Sequence, residues 1–440
     1  MAFAVEVTRA VGRNQWAEAE GAGRRLGAAG HWGVVVGGAV VGLCFALASA
    51  AAGQVRLSEL SAFESKAYVI HTNLSREEAM EYGVHMDLIY KEYSRRFREL
   101  RGASRKKQDM YLLRTRRDYI AAMAEFGIPA EASGGMFFWG GGTSGLATWV
   151  EGLTREQVFS TLQHEGFHQF AHTKMGGATE LPLWVNEGLA EYFGSAIVVR
   201  GDVRTGIVDG DRVAKVNRAL EEGRAIGFYE LLNTTSRQWQ SNMRSGSPKG
   251  SLQYDQSWAV VHFLIHGDRG KYRKAFGAYL MEISRGRNHE QAFTQTFGRD
   301  DARFARRWER FMGEVEPDHY SVALKRLQFL GEGLRFLAEA GGGASPTDLE
   351  ALRKTLQERS FTLTWLTESG EKTLDSKDEA LYGYEDRKGV AQRFELVPAE
   401  AESGLPAGVR ASELSPTPTL AWTRDDGGNL RAQVTYARKR

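Results

Sequence analysis

The chain has 440 residues, of which 42% are hydrophobic and 25% charged, and its formal net charge is +2. This length allows two or three domains, and the apolar content is sufficient for a sizeable buried core. The small net charge favours neither nucleic acid nor an acidic partner, and we predict no nucleic-acid binding.

The N-terminal region has the features of an export signal. Residues 26–55 contain no Lys, Arg, Asp or Glu, and their apolar part ends in Ala48-Ser49-Ala50, a small-x-small sequence typical of signal-peptide cleavage. The uncharged stretch is nearly long enough to span a bilayer, so an uncleaved anchor is the alternative. We predict that residues 1–52 are a signal peptide or membrane anchor. The remainder would then be secreted, periplasmic or anchored outside the cytoplasm, in association with the membrane or cell envelope.

Alternating helices and strands are predicted between this segment and residue 150. A Ser-x-x-Glu sequence at residues 75–78 is typical of a helix start, and glycine-rich stretches favour hairpins and turns. The elements, in chain order, are a helix from Ser75 to about Leu100, a strand at Met110–Leu113, a helix at Asp118–Phe126, a glycine-rich hairpin at Gly134–Gly145 and a strand at Leu146–Val150.

The next predicted helix carries the sequence His164-Glu165-Gly166-Phe167-His168 and begins at Thr154, whose partner in a capping box is Gln157. His164 and His168 are four residues apart, so their imidazoles share one face of the helix and converge. Zinc binds imidazole nitrogens, and a catalytic zinc keeps one position for water beside three protein ligands. Glu165 would lie beside that water and accept its proton. The motif predicts a zinc hydrolase that needs a third ligand.

A second helix, opened by Leu181-Pro182, supplies a candidate for that ligand. Glu187 follows His168 after eighteen intervening residues, and Glu191 lies four residues further along the same face. We predict that Glu191 orients one of the ligand histidines through a hydrogen bond, as zinc sites usually require. The alternative for Glu191 is a solvated helix face. The two helices together span residues 154 to 195.

These two segments resemble the gluzincin clan of metallopeptidases, which includes thermolysin and aminopeptidase N. The gap between His168 and Glu187 matches the aminopeptidase N pattern, and Trp184 to Gly188 is similar to its tryptophan and Asn-Glu-Gly segment. The resemblance implies that His164, His168 and Glu187 bind one zinc ion per chain and that Glu165 is the general base. It also implies an α+β fold with a zincin-like core. The metzincin pattern is excluded, because Lys174 stands where its third histidine would be.

The resemblance extends to Tyr254 and fails at one other position. Tyr254 opens an apolar segment similar to the aminopeptidase N helix whose tyrosine donates to the oxyanion, and the alternative is an ordinary core tyrosine. Aminopeptidases also carry a glutamate that holds the substrate's free amine, roughly thirty residues before the zinc helix. Here Phe137 and Phe138 occupy that region. The missing carboxylate favours an endopeptidase over an aminopeptidase.

The C-terminal region contains no chemical motif. Gly341-Gly342-Gly343 predicts a linker, and alternating apolar residues beyond it predict strands. We therefore predict a metallopeptidase domain at residues 53–340 and a small β-containing module at residues 346–440, whose packing or substrate-docking role is left open.

The combined prediction is an exported zinc peptidase that acts on peptides or proteins. Two alternatives remain open. One is a cell-envelope binding protein that keeps the fold without turnover, although zinc binding alone does not require Glu165. The other keeps catalysis but changes the substrate, either to the N-terminal residue of a peptide, as in a zinc aminopeptidase, or to something other than a peptide.

Overall fold

The computed structural model describes residues 32–35, 55–100, 106–131, 133–175, 180–244, 247–299, 301–340, 345–367, 370–400, 403–424 and 428–437. Within these residues the fold is mixed α+β, which confirms the predicted class. The largest hydrophobic core extends from Tyr68 to Met312, and a separate core begins at Tyr320.

A six-stranded sheet and two helices form the N-terminal part. The strands are β1 (Trp32–Val35), β2 (Ser61–Glu64), β3 (Tyr68–Thr72), β4 (Gln108–Leu113), β5 (Met136–Gly140) and β6 (Thr143–Trp149), and the helices are α1 (Arg76–Arg96) and α2 (Arg116–Glu125). The strand order is β1-β5-β6-β4-β3-β2. β3, β4 and β6 are parallel neighbours, because a helix in each connection returns the chain to the same end of the sheet. These elements correspond to those predicted for residues 75–150.

The Gly134–Gly145 run forms the predicted hairpin, in which β5 and β6 pair in antiparallel fashion. Gly141 and Gly142 make the turn with φ values of +56° and +84°, a region that favours glycine. β6 lies inside the sheet between β5 and β4, whereas β5 lies towards the outer side and pairs with β1.

Nine helices and a short hairpin follow among the described residues. The helices are α3 (Arg155–Met175), α4 (Leu183–Gly194), α5 (Gly210–Glu221), α6 (Phe228–Leu232), α7 (Ser236–Arg244), α8 (Pro248–Gly270), α9 (Arg273–Ser284), α10 (His289–Phe297) and α11 (Asp301–Glu314), and the hairpin pairs β7 (Ile197–Val199) with β8 (Asp202–Arg204). α8 is the central helix of this layer, and residues 252–265 of it are all buried. α8 departs from helical geometry at Gly267–Arg269, near its end.

In its described residues, the C-terminal module contains two α-helices and three small sheets. Its elements are α12 (His319–Ala340), α13 (Leu349–Glu358), β9 (Thr362–Thr367), β10 (Gly370–Asp375), β11 (Tyr384–Glu385), β12 (Ala391–Gln392), β13 (Phe394–Val397), β14 (Gly408–Ala411), β15 (Thr417–Arg424) and β16 (Leu430–Ala437). β13 to β16 form an antiparallel meander, and β9 pairs with β10. α12 precedes the predicted boundary at residue 346, yet its buried residues belong to the C-terminal core. The predicted linker at residues 341–343 lies outside the described residues.

The segment predicted to be a signal peptide or anchor is described only at β1, and residues 1–31 and 36–54 lie outside the described part of the chain. β1 pairs with β5 in antiparallel register from Trp32–Gly140 to Val35–Phe137. In the portion of the chain that the structure describes, no helix combines the length and apolarity needed to cross a membrane.

Candidate metal centre

Local sequence fixes the start of α3 as predicted. The backbone N–H of Gln157 donates to the hydroxyl of Thr154, and the backbone N–H of Thr154 donates to the side chain of Gln157. This reciprocal capping box satisfies two of the amides that a helix start leaves without partners. α3 then continues without a break through His164 and His168 to Met175, so both histidines lie on one face.

Close packing of α4 on α8 positions Glu187. A Cβ atom added at Gly188 would lie 2.5 Å from the carbonyl oxygen of Ser257, so only glycine permits this approach of the two helices. α4 begins at Leu183, with Pro182 at its N-cap rather than inside its first turn. The residue before Gly188 is thereby brought to the histidine face of α3.

Three donor atoms converge between α3 and α4. The Nε2 atoms of His164 and His168 are 3.0 Å apart, and Glu187 Oε2 lies 3.5 Å from the first and 3.6 Å from the second. Tetrahedral zinc with bonds of about 2.0–2.1 Å separates its ligand atoms by about 3.3–3.4 Å. The triangle therefore has the size of one face of a zinc tetrahedron. Among the described residues, this is the cluster of histidines and acids that could hold a metal ion.

The burial of these groups also fits a metal ion. The exposed fractions of His164, His168 and Glu187 are 5%, 3% and 3%. Glu187 Oε2 accepts no hydrogen bond from the described residues, although a buried carboxylate oxygen normally has such a partner. Burial raises the pKa of Glu187, but the two imidazoles together outweigh burial and hold the pKa at about 2. An ionised carboxylate facing two imidazole nitrogens is a donor set that zinc prefers.

His168 is oriented by a neighbouring amide. Its Nδ1 lies 3.1 Å from Oδ1 of Asn186, the residue before Glu187 on α4. An N–H at Nδ1 that donates to this amide oxygen leaves the lone pair of Nε2 directed at the cluster. No motif in the sequence gives Asn186 a role of its own, although the Asn-Glu pair that contains it is part of the resemblance. The adjacency of an amide to a ligand glutamate is the signal that could have revealed it.

Glu191 lies beside the other histidine, as predicted, but reaches it less closely. Its Oε1 is 3.9 Å from Nδ1 of His164, which exceeds hydrogen-bond distance. Its Oε2 accepts from the guanidinium of Arg212, whose Nε donates to Asp255 Oδ1 at 3.1 Å. Lys215 contacts the second oxygen of Asp255 at 2.6 Å. Glu191 therefore belongs to a chain of charges that runs from His164 to the surface.

Arg212 lies at the centre of this series of charged groups. Only 8% of it is exposed, and its guanidinium lies 5.2 Å from the ring centroid of Trp258. Burial alone would lower the pKa of Arg212, but the adjacent Glu191 and Asp255 raise it above its usual value. The residue is 25 positions beyond Glu187, on α5, and no motif in the sequence indicates it.

Gln163 ties α3 to the end of α4. Its amide nitrogen donates to the carbonyl oxygens of Phe193, Gly194 and Ala196, at 3.0–3.1 Å. Its oxygen lies 2.7 Å from Nε2 of His85. Two of these carbonyls belong to the last two residues of α4 and the third to Ala196 just beyond it, so the bonds fix the spacing between the helices that carry the three donors.

Glu165 and Tyr254, the other two predicted site residues, are buried on α3 and α8. Glu165 follows His164 on α3 and is 1% exposed. Tyr254 is also 1% exposed, and its ring packs edge-on against Trp239, with the centroids 5.0 Å apart. It lies one turn before Ser257, the residue that contacts Gly188. Tyr254 is therefore on the part of α8 that packs against the Glu187 helix.

An aromatic surface follows the cluster along α3. His172 lies one turn beyond His168, and its ring centroid is 5.4 Å from that of Phe137 and 5.0 Å from that of Trp139. It is not part of the three-residue cluster. Phe137 and Trp139 come from β5, so this strand faces the metal helix with apolar side chains.

Residues 158–288 match a family described as "Protein of unknown function (DUF1570)". The matched range begins in α3 and contains the three donor residues, Asn186, Arg212 and Tyr254. No curated protein shows sequence similarity to the chain.

Proposed function

We propose that this protein is an exported zinc metallopeptidase with a gluzincin-like core, in which His164, His168 and Glu187 bind one zinc ion. The observation that carries the proposal is the buried triangle of donor atoms, whose edges of 3.0, 3.5 and 3.6 Å suit tetrahedral zinc. A purely structural zinc usually has four protein ligands. Three donors beside Glu165 are more typical of a catalytic site.

The reaction follows from the groups around the cluster. When bound, zinc supplies a Lewis acid that lowers the pKa of water and polarises a carbonyl group. Glu165 accepts a proton from the attacking water at its carboxylate and delivers it to the nitrogen of the leaving amine. The hydroxyl of Tyr254 donates a hydrogen bond to the oxygen that gains negative charge in the transition state. Asn186 holds His168 in one tautomer throughout.

An endopeptidase is favoured over an aminopeptidase. β5 bears Phe137 and Trp139 on the side of α3, and residues 134–140 contain no carboxylate that could hold a free substrate amine. Trp139 is partly exposed and stacks on the buried Phe137, so it offers an apolar surface to a peptide that continues past the site in both directions. Export is proposed from the uncharged residues 26–55 and the Ala48-Ser49-Ala50 sequence.

Incubation of the zinc-loaded protein with a diverse peptide library, read by mass spectrometry, tests this function. We expect cleavage within peptides, equal rates on N-acetylated and free peptides, and loss of cleavage when a chelator removes zinc. Release of single N-terminal residues that acetylation abolishes would establish an aminopeptidase instead. Absence of cleavage across the library would contradict the peptidase proposal.

A further inference from the structure

A groove separates the N-terminal part of the protein from the C-terminal module. Its volume is about 760 Å³, within the range of ligand-binding cavities. None of the residues that line it belongs to the metal centre. It is bordered by the turn that precedes α3, by α12, and by residues 361–364 and 429–433, which lie on or next to β9 and β16.

β16 presents an open edge to this groove. Among the described strands it pairs only with β15. The carbonyl oxygen of Leu420 on β15 points towards β14, since a Cβ atom added at Gly408 would lie 2.6 Å from it. Val434 is the partner of Leu420 on β16, so its backbone groups point away from β15. Because backbone groups alternate in direction along a strand, those of Leu430 and Ala432 also point away from β15. Both of these residues line the groove.

β9 presents a second open edge. It pairs only with β10 among the described strands. The carbonyl oxygen of Phe361 accepts from the N–H of Ser376, just past the end of β10, so this carbonyl faces the β10 side. By the same alternation, those of Thr362 and Thr364 face away from β10, and both residues line the groove.

The arginines that line the groove each contact an acidic side chain. Arg155 contacts Glu81, Arg335 contacts Glu332, and Arg114 and Arg431 both contact Glu78 of α1. Paired arginines leave little positive charge for a phosphate or a nucleic acid, whereas a neutral backbone with alternating donors and acceptors complements two open strand edges. Phe336, 37% exposed, adds an apolar surface for side chains.

We propose that this groove binds an extended segment of a polypeptide substrate, which enters as an added β-strand between β9 and β16. The proposal rests on the proposed peptidase function and assigns substrate docking to the C-terminal module. It implies that the preferred substrates are unfolded or loosely folded proteins. Short peptides would engage only the metal centre.

The test compares two proline substitutions in the inactive Glu165→Gln protein. Thr364→Pro removes an N–H that faces the groove, whereas Thr373→Pro removes one on the opposite edge of the same two-stranded sheet. The two hydroxyls are 2.9 Å apart and bonded to each other, so both variants lose that bond equally. With fluorescein-labelled β-casein, an unfolded protein, we expect Thr364→Pro to weaken binding about tenfold and Thr373→Pro to leave it unchanged.

Amide hydrogen exchange provides a measurement without substitutions in the groove. β-Casein should slow exchange in segments 361–366 and 429–434 of the Glu165→Gln protein. Equal affinities in the two proline variants, or protection confined to other segments, would overturn the proposal. Binding requires no turnover. If the protein binds β-casein in a way that depends on Thr364 but cleaves no peptide, only the peptidase function is refuted. If the active protein cleaves hexapeptides and Thr364→Pro leaves β-casein binding unchanged, only the proposed role of the groove is refuted.

Discussion

The metal-centre helices and the C-terminal module bury different kinds of side chain. Around the cluster, His164, Glu165, His168 and Glu187 are all at most 5% exposed, whereas the centre of the module is built from residues such as Leu352, Leu356 and Val409, each 0% exposed. Burial of charged and polar groups costs stability unless partners compensate, while apolar burial stabilises. The first region therefore buries polar groups that need partners, and the second buries mainly apolar side chains that stabilise the fold.

In the first region, hydrogen bonds and ion pairs compensate for the stability that is lost when polar groups are buried. Arg212 bridges Glu191 and Asp255, and Gln163 donates to three carbonyl oxygens at and just beyond the end of α4. The cluster itself keeps one oxygen of Glu187 without a hydrogen bond from the described residues. If the contrast between the two regions is correct, substitutions around the cluster should change metal binding or catalysis, and substitutions in the apolar core of the module should change stability alone.

The largest effect is expected at Glu165. Glu165→Gln keeps the size of the side chain but removes the proton acceptor, so kcat should fall about 10²- to 10⁴-fold. Zinc content and the unfolding temperature should stay close to wild type, because the amide fits the same space. Turnover and zinc content measured on the same preparation check this prediction. Unchanged turnover would remove Glu165 from the mechanism.

Tyr254→Phe should give the next largest effect. Loss of one donor to a developing oxyanion typically lowers kcat about 10²- to 10³-fold, with little change in KM. Tyr382→Phe in the module is the matched control, because its hydroxyl donates to the carbonyl oxygen of Ser376 at 3.0 Å. The control should lose about 1 kcal/mol of stability and no activity. If Tyr254→Phe behaves like the control, Tyr254 is a core residue and not a catalytic one.

Leu356→Ala should destabilise the module without affecting the metal. Leu356 is 0% exposed and packs against Gly333 of α12, where a Cβ atom would lie 2.7 Å from its Cδ1. Truncation of a buried leucine to alanine costs about 2–5 kcal/mol. Denaturant unfolding should show this loss, and zinc affinity should be unchanged. A parallel loss of zinc affinity would mean that the two regions are energetically coupled.

Arg212→Met should weaken zinc binding about 10- to 100-fold, the usual range for groups that support a metal ligand. Asp255 keeps Lys215, but the described contacts give Glu191 no other cation to replace Arg212. Arg326→Met is the control, since this buried arginine donates to the carbonyl oxygen of Ala380 in the module. Chelator competition on both variants measures the difference. Equal zinc affinities in the two variants would show that Arg212 serves only the fold.

The sequence predicted the cluster because its members lie on two regular helices. A four-residue spacing places His164 and His168 on one face, and the conformation of α3 alone ensures their approach. Arg212 and Gln163 could not be assigned roles in this way, since their partners depend on how α3, α4, α5 and α8 pack together. The same limit applies to the C-terminal module, where α12 joins a core that the glycine run at residues 341–343 does not delimit.

Zinc stoichiometry after mild dialysis tests the central claim most directly. The comparison needs wild type, alanine variants of His164, His168 and Glu187, and His172→Ala as a control from the same helix. We predict one zinc ion per chain in wild type and in His172→Ala, and strong loss in the other three, because each removes one corner of the donor triangle. Full zinc content in all three cluster variants would contradict the claim.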